Sequence, residues 1–168
     1  MRKKRYAIVV SSKTGNTAKL AAEITRVFDD RDCVYYGKPD DKALEADRLF
    51  IGFWTDKGTC DEDTLEFLKK VTDQEVFLFG TAGYGAKPEY FDEVIGRVKE
   101  NLKDPEKILG SFMCQGRMQE AVKERYMKMK DSPEKVPNLD ELIANYEKAL
   151  THPDRADIAA MTEALKAL

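Results

Sequence analysis

The run Arg5-Tyr-Ala-Ile-Val-Val10 passes directly into Ser11-Ser-Lys-Thr-Gly-Asn-Thr17, and this junction decides the fold. Its first half is a short apolar run with β-branched residues, the pattern of a buried strand. Its second half is a hydroxyl-rich loop with a single glycine. From Ala18 to Phe28, the apolar residues Leu20, Ile24, Val27 and Phe28 recur at helical spacing. The local order is strand, polar loop, helix.

That order makes an anion site. The first turn of a helix carries unpaired N–H groups, and its dipole favours negative charge there. Ser12, Thr14 and Thr17 add hydroxyls, Asn16 adds an amide, and Gly15 lets the backbone approach a ligand. The natural guest is a phosphate. A Walker loop needs Gly-Lys-Ser/Thr, whereas Lys13 precedes the glycine here. A dinucleotide fingerprint needs three spaced glycines, and this loop has one. A receiver domain needs acids at the end of its first strand, and a low-molecular-weight tyrosine phosphatase needs a cysteine in the loop. Val9-Val-Ser-Ser12 offers neither.

Ser12-Lys-Thr-Gly-Asn-Thr17 instead resembles the phosphate loop of flavodoxins, which reads Thr/Ser-x-Thr/Ser-Gly-Asn-Thr. The resemblance implies FMN as cofactor, its phosphate held by residues 12–17. Two later loops extend it. Asp47-Arg-Leu-Phe-Ile-Gly-Phe-Trp54 reads as a central strand that runs into Thr55-Asp-Lys-Gly-Thr-Cys-Asp61. Trp54-Thr-Asp56 matches two positions of the family's Trp-Gly-Asp loop beside the isoalloxazine. This makes Phe53, Trp54, Thr55, Asp56 and Gly58 candidate flavin contacts. In the family a glycine peptide in this loop flips toward flavin N5. Thr55 resists such a flip, and Gly58 is the alternative. Glu75-Val-Phe-Leu-Phe-Gly80 is the next strand, and Thr81-Ala-Gly-Tyr-Gly85 resembles the family's third loop. Thr81, Ala82, Gly83, Tyr84 and Gly85 join the candidate set, with Tyr84 in place of a stacking tryptophan.

The remaining periodicity fits the same architecture. Cys33-Val-Tyr-Tyr36 reads as a second strand and Lys107-Ile-Leu-Gly-Ser-Phe-Met113 as a fifth. Helical spacing covers Glu62–Val71, Pro88–Asn101, Met118–Lys130, Asn138–Leu150 and a last stretch to about Ala164. Five strands alternating with helices imply a parallel sheet covered on both faces, a three-layer α/β/α fold. The order 2-1-3-4-5 is what the resemblance implies. All three loops then leave the carboxyl ends of strands at the reversal point, where ligands bind in such sheets.

The chain of 168 residues reads as one domain, 1–168, with about 131–168 a helical C-terminal extension. That extension is expected to pack on a helical layer, cover the pocket edge or make a dimer contact. A net charge of −3 with mixed signs argues against nucleic acid. The basic Met1-Arg-Lys-Lys-Arg5 is followed by too short an apolar run for a signal peptide, and no stretch approaches a membrane span. A cytoplasmic protein, monomer or homodimer, is expected.

The three cysteines show no metal spacing, so no metal site is expected. Cys60 and Cys114 fall in loops at the flavin edge, where a redox pair is conceivable beside the plainer reading of two unrelated thiols. His152, the only histidine, reads as a turn residue before Pro153. No side chain is nominated as a catalytic acid or base. The resemblance implies an electron carrier serving a larger reductase. The alternatives are an NAD(P)H-dependent FMN oxidoreductase acting on a quinone or other small acceptor, and a flavodoxin-like module without redox work.

Overall fold

Five of the apolar runs become the parallel strands of one sheet in a computed structural model that describes residues 2–84 and 87–168. They are β1 (Tyr6–Val10), β2 (Cys33–Gly37), β3 (Arg48–Asp56), β5 (Glu75–Ala82) and β6 (Ile108–Gln115). Their spatial order is β2-β1-β3-β5-β6, which is the expected 2-1-3-4-5. The two-residue β4 (Thr59–Cys60) is an addition: it folds back antiparallel on the end of β3 and pairs Thr55 with Cys60. The hairpin turn is Lys57-Gly58, with φ of 52° and 82°. Positive φ at both central residues is the tight-turn geometry that matches strand twist. This hairpin is why β3 runs two residues past Trp54.

The six helices are α1 (Asn16–Val27), α2 (Glu62–Leu68), α3 (Pro88–Lys99), α4 (Glu120–Lys130), α5 (Leu139–Ala149) and α6 (Arg155–Lys166). Alternation along the central strands splits the core in two. Val9, Ile51, Phe53 and Leu78 face one way, with Phe67 and Leu68 of α2 and Val94 and Val98 of α3. Ile8, Phe50, Phe77 and Phe79 face the other, with Leu20 and Ile24 of α1 and Met161 and Leu165 of α6. Each such fully buried side chain stabilises the fold by about 1.5–3 kcal/mol.

The end of the chain is therefore not an appendage. Met161 and Leu165 are 0% and 1% exposed, in the same cluster as β1 and α1. Thr162 Oγ1 donates to Glu23 Oε2 at 3.1 Å, joining α6 to α1 through a carboxylate that also pairs with Arg26. The helical extension is better divided. α6 completes one layer, whereas α5 receives α4, a helix that precedes the extension and has no buried residue.

The basic amino terminus has a structural use at the opposite end of the sheet. Arg2 pairs with Asp47 at 2.9 Å, and Lys4 pairs with Glu75, which also receives Arg48. The Arg5 N–H, then the Arg2 guanidinium, hold the Asp47 carboxyl below the usual carboxylate range. Burial pushes the Glu75 carboxyl up, but hydrogen bonds from Lys4 and Arg48 outweigh it, so its pKa falls. Among the described residues, no helix is long and apolar enough to cross a membrane.

Candidate functional site

Loop one begins where β1 ends, with Ser11 N–H donating to the Gly52 carbonyl of β3 at 2.9 Å. Gly15 then takes φ 87° and becomes the N-cap of α1, with nothing within 4 Å of a Cβ built on it. The left-handed turn brings Asn16 and Thr17 into the helix, two residues before Ala18. No side chain caps this terminus from the N-cap position, and Ser12 Oγ accepts from Ala18 N–H at 3.3 Å. Ser12, Lys13 and Thr14 are exposed at the carboxyl end of the sheet. The arrangement offers first-turn N–H groups, hydroxyls and a cation to an anion.

Two of the predicted loop-one side chains have other work. Thr17 is fully buried; its Oγ1 donates to the Phe53 carbonyl at 3.0 Å and lies 3.1 Å from Thr81 Oγ1. It holds the three loops together from beneath. Asn16 Nδ2 donates to the Arg117 carbonyl at 2.8 Å, so its amide faces the loop after β6.

Loop two divides between cleft and core. Trp54 and Thr55 line a cleft of about 180 Å³ with Lys13, Thr14, Asn16, Thr81 and Gly83. Lys13 Nζ stands 4.9 Å from the centroid of the Trp54 ring, within cation–π range. Thr55, in the position of the family's glycine, donates its hydroxyl to the Thr81 carbonyl at 2.8 Å and so ties loop two to loop three. Phe53 is a core residue with a fully buried ring, because strand alternation turns it inward. Asp56 and Gly58 belong to the hairpin and do not line this cleft. The Gly58 carbonyl accepts from Arg97 Nη1 at 2.9 Å, so it already has a partner within the hairpin turn.

Loop three crosses between two clefts. Thr81 and Ala82 are buried at the end of β5, and Gly83 lines the first cleft. Tyr84, 54% exposed, lines a second cleft of about 360 Å³ with Lys87, Tyr90, Leu142 and Asn145, and it meets the Tyr90 ring edge-on at 5.9 Å. The expected pair of flanking aromatics is thus split, with Trp54 in one cleft and Tyr84 in the other. Gly85 lies outside the described residues.

The sequence puts Gln115, Gly116 and Arg117 after the fifth strand, where they could shape the mouth of the pocket; the structure builds a fourth wall from Arg117 and from three residues that reading did not include. Arg117, Met118, Gln119 and Val122 close the first cleft. Met118 lies so close to Gly83 that a Cβ there would come within 2.2 Å of its Cγ. Arg117 N–H donates to the His152 carbonyl at 2.9 Å. His152 Nδ1 sits 2.6 Å from Asp157 Oδ2, beside the Asp154–Asp157 capping box that starts α6. His152 is thus a turn residue as expected, with the added task of anchoring this wall. The only local signal was the amphipathic tail itself; the contacts join residues more than thirty apart.

The thiols are accounted for by burial. Cys60 packs in the cluster with α2 and α3, and Cys114 in the cluster with α1 and α6. The sheet separates them, which corrects the conceivable redox pair. Burial, then the Asp61 charge, pushes the Cys60 thiol up to about 11, and burial pushes Cys114 up as well. Both remain protonated and poor nucleophiles near neutrality.

A flavodoxin domain matches residues 7–166, and the chain belongs to the flavodoxin family. The match reaches beyond the two-thirds of the chain that carries the three loop motifs. The chain is 42% identical to the flavodoxin-like domain-containing protein BilS of Clostridium symbiosum (strain WAL-14163), over 93% of this chain and 91% of that protein. It is 32% identical to BilS of Clostridioides difficile (strain CD3), over 90% of this chain and 88% of that one. A short-chain flavodoxin associated with a non-canonical PDU bacterial microcompartment superposes with a TM-score of 0.51 at 15% identity, over 90% of this chain and all (100%) of its own. The metal-soaked Flv1 flavodiiron core from Synechocystis sp. PCC6803 gives the same TM-score, 0.51, at 15% identity, over 98% of this chain and 36% of that one. At such identities the likeness is of fold.

Family membership makes FMN the cofactor, and the residues present fit it. The first turn of α1 with Ser12, Lys13 and Thr14 suits a phosphate, and Trp54 supplies an aromatic wall. Gln115, 3% exposed, has an Oε1 without a partner among the described residues. A buried acceptor of this kind is ordinarily satisfied by water or a ligand donor.

Proposed function

We propose that this FMN-binding redox protein is an electron carrier that passes reducing equivalents to a larger partner reductase. When bound, the isoalloxazine supplies the redox chemistry; the chain supplies binding, orientation and access. Lys13 and the first turn of α1 bind the phosphate. Trp54 and Thr55 orient the ring side of the cleft, and Met118 and Val122 limit solvent at its mouth.

One observation carries this reading. The residues lining the cleft are hydroxyls, amides, two cations and hydrophobes, with no carboxylate, imidazole or thiol among the described ones. Apart from Lys13, which stands over the Trp54 ring, such a lining offers no general acid or base to an organic substrate. With Arg117, Met118, Gln119 and Val122 as its fourth wall, the cleft is only about 180 Å³. The relatives are flavodoxin-like proteins, which is compatible with a carrier.

The test is steady-state turnover. FMN-loaded protein is mixed with NADH or NADPH and a quinone. A carrier shows flavin that dithionite reduces readily but no sustained nicotinamide oxidation unless a reductase is added. Rapid turnover by the protein alone would move the assignment to an NAD(P)H-dependent oxidoreductase.

A further inference from the structure

The backbone of loop three is held from loop two and, beyond the flavodoxin motifs, from the end of β6 and from α5. Thr81 O accepts from Thr55 Oγ1 at 2.8 Å, and Ala82 O accepts from Gly116 N–H at 3.0 Å. Gly83 O accepts twice, from Gln115 Nε2 at 3.2 Å and from Asn145 Nδ2 at 2.9 Å. The two amides are themselves linked, since Gln115 Nε2 also reaches Asn145 Oδ1 at 3.0 Å. Gln115 ends β6 and is buried, whereas Asn145 stands on α5, 62 residues from Gly83. Three successive carbonyls are thereby aimed into the protein.

We propose that Asn145, acting with Gln115, is a positioning residue of the FMN site: it fixes the Gly83 carbonyl and so sets the orientation of the loop-three peptide presented to the flavin. The argument is geometric. A planar trans peptide points its N–H opposite to its C=O. Holding Gly83 C=O toward α5 therefore turns the Tyr84 N–H away from α5. Gly83 itself lines the cleft, and Met118 packs against it from the other side. Glycine has no Cβ to restrict its peptide, so without the clamp this carbonyl is free to reorient. The clamp gives α5 a function that its packing alone does not explain, because only Tyr146 and Ala149 of that helix are buried. This inference rests on FMN being bound at the cleft.

The decisive variant is Asn145→Asp, which is isosteric but replaces the donor to Gly83 with a repelling oxygen. Asn145→Ser removes the reach without adding charge, and Glu147→Gln, on the exposed side of α5, is the control. FMN dissociation constants, visible circular dichroism of the bound flavin and the two-electron midpoint potential are read for each. We expect wild-type far-ultraviolet dichroism, FMN affinity weakened about tenfold in Asn145→Asp and about threefold in Asn145→Ser, as loss of one hydrogen bond predicts, and an altered flavin dichroism and potential in both. Unchanged affinity, dichroism and potential in folded Asn145→Asp would overturn the proposal. Should both variants unfold, amide exchange in the wild-type protein decides: protection of the Tyr84 N–H on FMN binding supports the clamp, and no change contradicts it. Wild-type protein that binds no FMN would instead remove the functional reading on which the clamp depends.

Discussion

The two sides of the cleft are built by opposite means. Loop one is contiguous: residues 11–17 form a strand end, a left-handed glycine and a helix start, and everything an anion needs lies within one turn. The facing wall, Gly116–Val122, has no motif. It is held by Asn16 from the first loop, by Ala82 of β5 and by His152 before α6. A contiguous site is written in local backbone geometry, whereas a dispersed one depends on the tertiary packing of helices that arrive later in the chain. The first should tolerate changes in stability and fail on changes of conformation. The second should do the reverse.

The largest effect that could break this contrast is on α6. Leu165→Ala removes a side chain that is 1% exposed in the core beside α1, and should destabilise the protein by about 2–4 kcal/mol in urea unfolding. FMN affinity should fall only as far as the native population does. Loop one should respond in the other sense. Gly15→Val meets no steric obstacle, but forces a β-branched residue to φ 87°. It should weaken FMN binding at least tenfold, by fluorescence titration, and lower the unfolding free energy by about 1–3 kcal/mol.

A smaller change sharpens the role of the α6 cap. Asp154 Oδ1 accepts from Asp157 N–H at 2.9 Å, and Asp154→Ala should cost about 1 kcal/mol of stability with FMN affinity changed less than twofold.

The pH response separates the same regions from the opposite edge of the sheet. Asp47 and Glu75 have lowered pKa values in the folded protein. Their contribution is present above the unfolded carboxylate value near 4 and is lost as pH falls through the lower folded values. Cys60 is raised to about 11, so the folded state keeps a proton that the unfolded thiol gives up near 8.5. Stability should therefore decline from about pH 8.5 toward 11, and because burial raises the Cys114 thiol as well, a Cys60→Ala variant should lose only part of that alkaline slope. Urea midpoints across pH measure both limbs.

What was legible in the chain follows the same division. The strands and the left-handed turn at Gly15 could be read because each depends on neighbours in sequence, whereas the strand order followed from the resemblance of the three loops to those of flavodoxins. Phe53 was misplaced as a ring contact because a one-residue step on a strand exchanges cleft for core. Gly58 looked available, but it sits in the Lys57-Gly58 hairpin turn and its carbonyl already accepts from Arg97. The Tyr84 ring left the Trp54 cleft because loop three changes sides at Gly83, and no periodicity marks such a crossing. α6 read as an extension because its partners Glu23 and Leu20 lie more than a hundred residues earlier. The Gln115–Asn145 clamp was invisible for the same reason: polar residues on an amphipathic helix carry no sign of what they face.

The most direct measurement is a titration of the purified, FMN-free protein with FMN, followed by flavin fluorescence and by circular dichroism of the bound chromophore. One FMN per chain, with affinity lost in Gly15→Val but kept in Asp154→Ala, is the result the three-loop cradle predicts. A folded protein that binds no FMN, or binds it equally well with Gly15 replaced by valine, would contradict it.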